Sequence, residues 1–295
     1  MRHIYQAAAL LAAFTLAAPA WAAQPSARGE YSRTPVQRAL GWKASSLPAG
    51  RTARIGYREM APRRLLDLQR ANASSRIKAT QIGLARKAAL EASAVSPVLR
   101  WTPVAGGAVA RIEVRSPDAL ALRVGLDVRR MDPRIELRFA GSDDARRVVA
   151  MTTVAEAQML PGTDGLYWTP VTDGEAQVIE IFRPARVSAG AAQIYAPALS
   201  HLVTNSRNDF KLLEKIGESG SCNVDVVCRV NELGPHFVNA KNAVAHMVFQ
   251  KNGGTYICTG TLLADTTPGT QVPYFYSANH CFSDGAPVPS AVQQV

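Results

Sequence analysis

The chain has 295 residues, of which 47% are hydrophobic and 19% charged, a composition typical of globular rather than disordered proteins. Its net charge of +10 would suit an anionic partner, but the arginines are spread along the chain without a clustered motif, which favours a solvated surface. Beyond the N-terminus no apolar run reaches the ~18 residues of a membrane span. We therefore expect about two domains, no nucleic-acid partner and no membrane segment.

The N-terminus has the order of a secretory signal. Arg2 and His3 precede an apolar stretch over residues 7–18, and Ala20-Trp21-Ala22 then offers the small-x-small pattern of a cleavage site. An N-terminal anchor is the alternative, and the short apolar run argues against it. We expect residues 1–22 to be a signal peptide and the protein to be secreted, either extracellular or periplasmic.

The next segment, residues 23–97, is predicted to be a leader or linker that contains a helix. Its first part is rich in Ala, Ser, Arg, Pro and Gly with little periodicity. Over residues 61–94 leucines and isoleucines alternate with Arg, Lys, Gln and Ala at helical spacing, and Pro62 suits a first helical turn. The pattern predicts a helix here, broken near residues 72–75.

After Pro97 the apolar period becomes two. Short apolar segments such as 111–114, 135–139 and 178–182 are separated by turn residues, which indicates an antiparallel sandwich or a small barrel. We assign a β-sandwich prosegment to residues 98–215. No acid pair, histidine cluster or phosphate loop stands out in it, so its own residues do not reveal a function.

All four cysteines lie in the last quarter of the chain, at Cys222, Cys228, Cys258 and Cys281. In an exported protein they are expected to be disulfide partners rather than metal ligands. A zinc site built from Cys258, His280 and Cys281 is the alternative, but an adjacent His-Cys pair lacks the usual ligand spacing. We predict no metal and no cofactor.

Two motifs in this region carry chemistry. The first is Cys258-Thr259-Gly260-Thr261-Leu262-Leu263, which follows a hairpin turn predicted at Asn252-Gly253-Gly254. The second is Ser277-Ala278-Asn279-His280-Cys281, at the end of a further apolar strand. Together they resemble the region around the catalytic histidine of trypsin-like serine proteases. The preceding Ser-Gly-Ser-Cys-Asn-Val-Asp-Val-Val-Cys, residues 219–228, is similar to bacterial lysyl-endopeptidase-like members of that family.

The resemblance covers residues 216–295 and implies a chymotrypsin-like double barrel. It implies that His280 is the general base and that a disulfide joins Cys258 to Cys281 near it. The family chemistry is acyl transfer through a serine ester, without a cofactor. Ser277 and Asn279 differ from the commoner Thr and Ala, and neither change removes the role of His280.

Other candidate residues are set aside on physical grounds. His246 lies within an apolar strand and is assigned no role. Gly217-Glu218-Ser219-Gly220-Ser221 resembles the family's nucleophile loop, but it precedes the histidine, whereas the family order is His, Asp, Ser. Lys215, directly before Ile216, is a hypothetical cleavage point for a lysine-preferring enzyme acting on its own precursor.

Fifteen residues follow His280 in this sequence, and Asp284 among them is too close to match the family's aspartate. We therefore expect residues 216–295 to be a truncated protease domain that supplies an incomplete first barrel. The triad Asp and Ser are absent, so the 295-residue chain is expected to be inactive.

The prediction is a mostly β protein: a secreted, trypsin-like serine endopeptidase precursor that is monomeric. Its partners would be protein or peptide substrates cleaved after lysine or another basic residue. The alternative is a secreted, non-catalytic β-sandwich binding protein that carries a protease remnant.

Overall fold

The computed structural model describes residues 40–48, 50–74, 79–162, 164–207, 209, 224, 226–251, 254–263, 274–281 and 292–294. The predicted signal peptide, the hypothetical cleavage point at Lys215 and the loop at 217–221 lie outside these residues.

Strands dominate the described residues, which confirms the mostly β class. The strands are β1 Ala53–Gly56, β2 Thr80–Lys87, β3 Thr102–Val104, β4 Gly107–Arg115, β5 Ala121–Asp127, β6 Glu136–Gly141, β7 Ala150–Thr153, β8 Tyr167–Trp168, β9 Thr172–Asp173, β10 Ala176–Pro184, β11 Tyr195–Leu202, β12 Val244–Lys251, β13 Gly254–Leu263, β14 Tyr274–Ser277 and β15 Val292–Gln294. The helices are α1 Pro62–Ser74, α2 Ala88–Glu91, α3 Val154–Met159 and α4 Val226–Ala243, with 3₁₀ turns at Ser142–Asp144, Gly190–Ala192 and Asn279–Cys281.

The strands form two sheets. One has six strands, in the order β1-β4-β10-β6-β7, with β3 also paired to β4. The other has nine strands, in the order β15-β12-β13-β2-β11-β5-β8, with β14 on β13 and β9 on β5. Neighbouring strands in the described residues are antiparallel except β1, which runs parallel to β4.

The core of the N-terminal sandwich, strands β1 to β11, lies between the two sheets. Because alternate side chains of a strand point to one face, each sheet contributes every second residue to this core. The fully buried apolar side chains of this core include Ile112, Val114, Leu122, Val124, Leu126, Leu137, Phe139, Ile179, Ile181 and Leu199. The period of two in the sequence therefore reports the buried faces correctly.

The predicted helix over residues 61–94 is only partly correct. Helix α1 occupies Pro62–Ser74, but Thr80–Lys87 forms strand β2, and α2 adds a single turn after it. β2 pairs with β11 and with β13, so long-range pairing overrides the local helical spacing of its leucine and isoleucine.

Helix α4 was not predicted and has a kink at Gly234. Gly234 has φ 73° and ψ −171°, and these angles interrupt the helix. Gly234 also precedes Pro235, and a residue before a proline disfavours the helical conformation. In the parts of the chain that the structure describes, no helix combines the length and apolarity needed to cross a bilayer.

The C-terminal strands continue the nine-stranded sheet. β12 and β13 form the predicted antiparallel hairpin, with Lys251 opposite Gly254, and β14 pairs with the far end of β13. The sheet curls here into a half-barrel, consistent with the predicted chymotrypsin-like class. This curled part positions the candidate site.

Candidate active site

His280 lies in the 3₁₀ turn Asn279–Cys281, directly beyond the end of β14. The turn is closed by the backbone N–H of Cys281, which donates to the carbonyl oxygen of Ala278 at 3.0 Å. The backbone at position 280 is thus held between the end of a strand and a hydrogen-bonded turn.

A disulfide anchors the far side of this turn. Cys281 is bonded to Cys258 of β13, with the two α-carbons 6.0 Å apart. Cys281 is buried in a cluster with Met247 and Phe249, and Phe249 stacks on Tyr256 with ring centroids 6.0 Å apart. The residue next to His280 is therefore tied both covalently and by packing to the β12–β13 hairpin.

Ser277 makes the polar contacts at the near side of the turn. Its hydroxyl donates to the carbonyl oxygen of Thr259 at 2.8 Å, and Oγ lies 3.4 Å from the sulfur of Cys281. A serine and a threonine can both supply this hydroxyl. The change from the commoner threonine therefore keeps the group that joins β14 to β13.

Gly260, in the first motif, is required sterically. A Cβ at this position would lie 2.1 Å from Cε1 of Phe275 and 2.8 Å from the carbonyl oxygen of Tyr276. A side chain at residue 260 is incompatible with this approach of β14 to β13. The close approach of β14 thus explains why the Cys-x-Gly motif has a glycine at position 260.

Comparison with known proteins assigns both parts of the chain to one family. The model described as lysyl endopeptidase N-terminal domain matches residues 57–203, and the model described as lysyl endopeptidase, C-terminal domain matches residues 216–294. The chain belongs to the lysyl endopeptidase family. The first match contains nearly all of the sandwich, and the second contains the His280 turn and the disulfide.

A curated relative is similar over part of this lysyl endopeptidase family chain. The lysyl endopeptidase of Pseudomonas aeruginosa strain PAO1 is 39% identical over 123 residues, which are 41% of this chain and 26% of the relative. The match thus spans about a quarter of that relative. No solved structure matches the chain.

Two of the remaining sequence candidates, His246 and Cys228, lie on elements other than the His280 turn. His246 lies on β12 with its side chain exposed, and its backbone is opposite Thr259. Cys228 lies exposed on α4 and forms no disulfide within the described residues. Cys222 and Asp284 lie outside the described residues. No group of three metal-ligating side chains is found in the part of the chain that the structure describes.

The sandwich of this lysyl endopeptidase family member contains a serine–histidine contact that the sequence did not reveal. Ser116 Oγ lies 2.9 Å from His201 Nδ1, although 85 residues separate them. Both residues are fully buried, so a peptide bond has no access to the hydroxyl. Arg86 also donates to Ser116 Oγ, at 2.7 Å. The contact is therefore structural, and no local pattern signals it.

Arg86 is the centre of this buried polar cluster. Its guanidinium donates to Glu91 at 2.7 Å and to the carbonyl oxygen of Arg58 at 2.6 Å, and it lies over the ring of Tyr57. Burial alone would raise the pKa of Glu91, but the hydrogen bond and charge of Arg86, together with Arg64, lower it below its usual value. The buried guanidinium of Arg86 thus has hydrogen-bond and charge partners, as stability requires.

Proposed function

We propose that this chain is part of a secreted, trypsin-like serine endopeptidase precursor that cleaves proteins after basic residues, lysine above all. The observation that carries the proposal is the position of His280. It follows β14 in a tight turn whose next residue, Cys281, is joined to Cys258 of β13. The same segment matches the lysyl endopeptidase C-terminal domain.

The role proposed for His280 is general base catalysis. The imidazole would take the proton of a serine hydroxyl as that oxygen attacks the peptide carbonyl, and would then return the proton to the leaving amine. This proton transfer needs no cofactor. The base must be held in place for both steps, and the disulfide and the Ser277 hydroxyl would restrain the turn.

The precursor arrangement is supported by where the matched ranges meet. The C-terminal domain match begins at residue 216, directly after Lys215. A lysine-preferring enzyme would cleave between Lys215 and Ile216 in its own precursor. On this proposal residues 23–215, including the whole N-terminal sandwich, form the prosegment that is removed.

The test begins with the coding sequence beyond Val295. If an open frame there encodes an aspartate and then Gly-Asp-Ser-Gly, the extended protein is expressed and tested with peptide amides ending in Lys, Arg or Ala. We expect cleavage after Lys, abolished in His280→Ala. His246→Ala is the matched control, because this exposed histidine of β12 should leave turnover unchanged.

The 295-residue chain itself should show no turnover, because the residues after His280 contain no Gly-Asp-Ser-Gly motif and their one aspartate, Asp284, is too close in sequence to match the family's. Measured turnover by the purified chain would contradict this expectation. An extended protein in which His280→Ala retains full activity would overturn the role of His280. A verified stop after Val295 would instead favour a non-catalytic β-sandwich binding protein.

A further inference from the structure

A segment ahead of β1 lies on the outer face of the six-stranded sheet, the face that points away from the sandwich core. We call this segment, residues 40–48, the strap; it forms neither a helix nor a strand. In β10 the side chains of Ile179 and Ile181 belong to the core, so Glu180 between them points to the outer face. A glutamate on an outer sheet face is ordinarily solvated, yet Glu180 is fully buried. Its partners explain this burial.

Glu180 and Arg111 bind the backbone of the strap. The N–H of Lys43 donates to Oε1 of Glu180 at 2.7 Å. Arg111, directly opposite Glu180 on β4, donates to Oε2 of the same carboxylate at 2.8 Å and also to the carbonyl oxygen of Ala44. One N–H and one C=O of the strap are thus held by a carboxylate and a guanidinium, and hydrogen bonds to charged groups are stronger than neutral ones.

Two further side chains bind the ammonium group of Lys43. Its Nζ lies 3.5 Å from Oε2 of Glu136 and 4.4 Å from the centre of the Phe182 ring. Glu136 of β6 and Phe182 of β10 are directly opposite each other in the sheet. A carboxylate beside an aromatic ring attracts an ammonium ion through both its charge and the negative face of the ring. The Lys43 side chain is 35% exposed, so a lysine from solution can reach the same position.

The residue before the lysine is held by stacking. The guanidinium carbon of Arg111 lies 4.4 Å from the centre of the Trp42 ring, a distance at which a cation is attracted to the ring. The indole N–H of Trp42 donates to the carbonyl oxygen of Ala145 at 3.0 Å. The sandwich therefore contacts three consecutive residues, Trp42 to Ala44, through both side chains and backbone.

We propose that the outer face of the six-stranded sheet is a binding site for a peptide that contains an aromatic residue followed by lysine. In this chain residues 42–44 occupy the site. Two carboxylates, an arginine and a phenyl ring form it, and a lysyl peptide from solution competes with the strap for these groups. The site performs no catalysis and lies on a different sheet from β14 and the His280 turn, so its test does not depend on the proposed function.

The direct test supplies the occupant from solution. The double variant Trp42→Gly/Lys43→Gly of the full chain removes the two side chains that hold the strap. A fluorescent peptide with the sequence of residues 40–48, Leu-Gly-Trp-Lys-Ala-Ser-Ser-Leu-Pro, is titrated with this variant, and its anisotropy is measured. We expect saturable binding with a Kd on the order of 0.1 mM. Binding to the wild type should be at least about tenfold weaker, because the linked strap has a high effective concentration at the site.

A second peptide, with alanine in place of the lysine, measures recognition of the ammonium group. We expect it to bind the double variant at least about tenfold more weakly than the lysine peptide. Equal affinity for the two peptides would overturn the proposal. The absence of binding to a double variant whose circular dichroism and unfolding midpoint match those of the wild type would overturn it as well.

A measurement with the strap intact does not depend on the folding of that double variant. Hydrogen exchange of the Lys43 amide reports whether its N–H stays bound to Glu180. Glu136→Gln removes the charge that attracts the ammonium group and should speed this exchange about fivefold. Glu113→Gln is the matched control: Glu113 lies on the same face, is 30% exposed compared with 25% for Glu136, and pairs with Arg54. Equal exchange rates in these two variants would show that the face does not recognise the lysine.

Discussion

The ring of Phe275 occupies the space that a side chain at Gly260 would need. Gly260 lies on β13 two residues after Cys258, and Phe275 lies on β14, in the strand that leads to His280. The contact therefore sets how closely these two strands approach. Since the Cys258–Cys281 disulfide spans the same two segments, the position of the histidine turn depends on a residue that has no side chain.

Substitution of Gly260 should be costly for this reason. Gly260→Ala forces Phe275 out of its position, and we expect a loss of about 1–3 kcal/mol in the free energy of unfolding of the C-terminal part. Gly56→Ala is the control, because a Cβ on this strand glycine meets nothing within 4 Å. Urea unfolding measures the loss of stability in each of the two variants, and hydrogen exchange shows whether the amides of β13 and β14 lose protection. Equal losses in the two variants would show that the steric argument is wrong.

The Ser277 hydroxyl gives a second prediction about the turn. Ser277→Ala removes the donor to the carbonyl oxygen of Thr259 and should cost about 1 kcal/mol. Ser277→Thr keeps a hydroxyl and should restore most of this loss. Faster hydrogen exchange of the β14 amides in Ser277→Ala, and not in Ser277→Thr, is the expected observation. Identical exchange in the two variants would mean that the hydrogen bond does not hold the strand.

The strands of the sandwich could be predicted from the sequence where the alternation of apolar and polar residues is visible within a single strand. In β4, β6 and β10 the apolar core residues alternate with charged ones, as in Ile112-Glu113-Val114, so their apolar period is visible in a short window. β2 could not be predicted in this way. It is buried through pairing with β11 on one side and β13 on the other, and β13 lies far along the chain. Its local spacing indicated a helix because the pairing that decides its structure is not local.

The candidate site likewise contains features that could be predicted from the sequence and others that could not. The motifs around Cys258 and His280 point to a histidine turn because they combine residue types in a fixed order. The roles of Gly260 and Ala79 follow only from the structure, since both act through contacts with distant side chains. The contact between Ser116 and His201 was also invisible, because it joins residues from two separate strand ends.

The Glu91 carboxylate predicts how stability depends on pH. Its pKa in the folded protein is lowered, because the hydrogen bond and charge of Arg86 and the charge of Arg64 outweigh burial. Its contribution to stability is therefore fully present above the ordinary glutamate pKa of about 4.3 and is lost as the pH falls through the lowered value. Glu91→Gln should cost about 2 kcal/mol at neutral pH, and the difference should shrink below about pH 4.

Urea unfolding at a series of pH values measures this difference. Glu59→Gln is the control, because Glu59 is exposed and its substitution should leave the pH dependence unchanged. A difference between wild type and Glu91→Gln that stays constant into acid would contradict the assigned role of the carboxylate.

The last prediction concerns Arg123, a charge buried beneath the hairpin. Its side chain is 2% exposed, and burial lowers its pKa to about 10, so it is still a cation at neutral pH. It donates to the carbonyl oxygens of Trp168, Thr169 and Val248. Arg123→Met keeps much of the apolar volume but leaves these acceptors without their donor, at an expected cost of about 2 kcal/mol.

Arg130→Met is the control for Arg123→Met. Arg130 follows the same strand, but it is exposed, so its substitution should change the free energy of unfolding by no more than about 0.5 kcal/mol. Hydrogen exchange then separates two outcomes. Exposure of β12 amides in Arg123→Met, with β4 and β10 still protected, is expected if Arg123 joins the hairpin to the sandwich. Uniform loss of protection across both sheets would instead place its role within the sandwich alone.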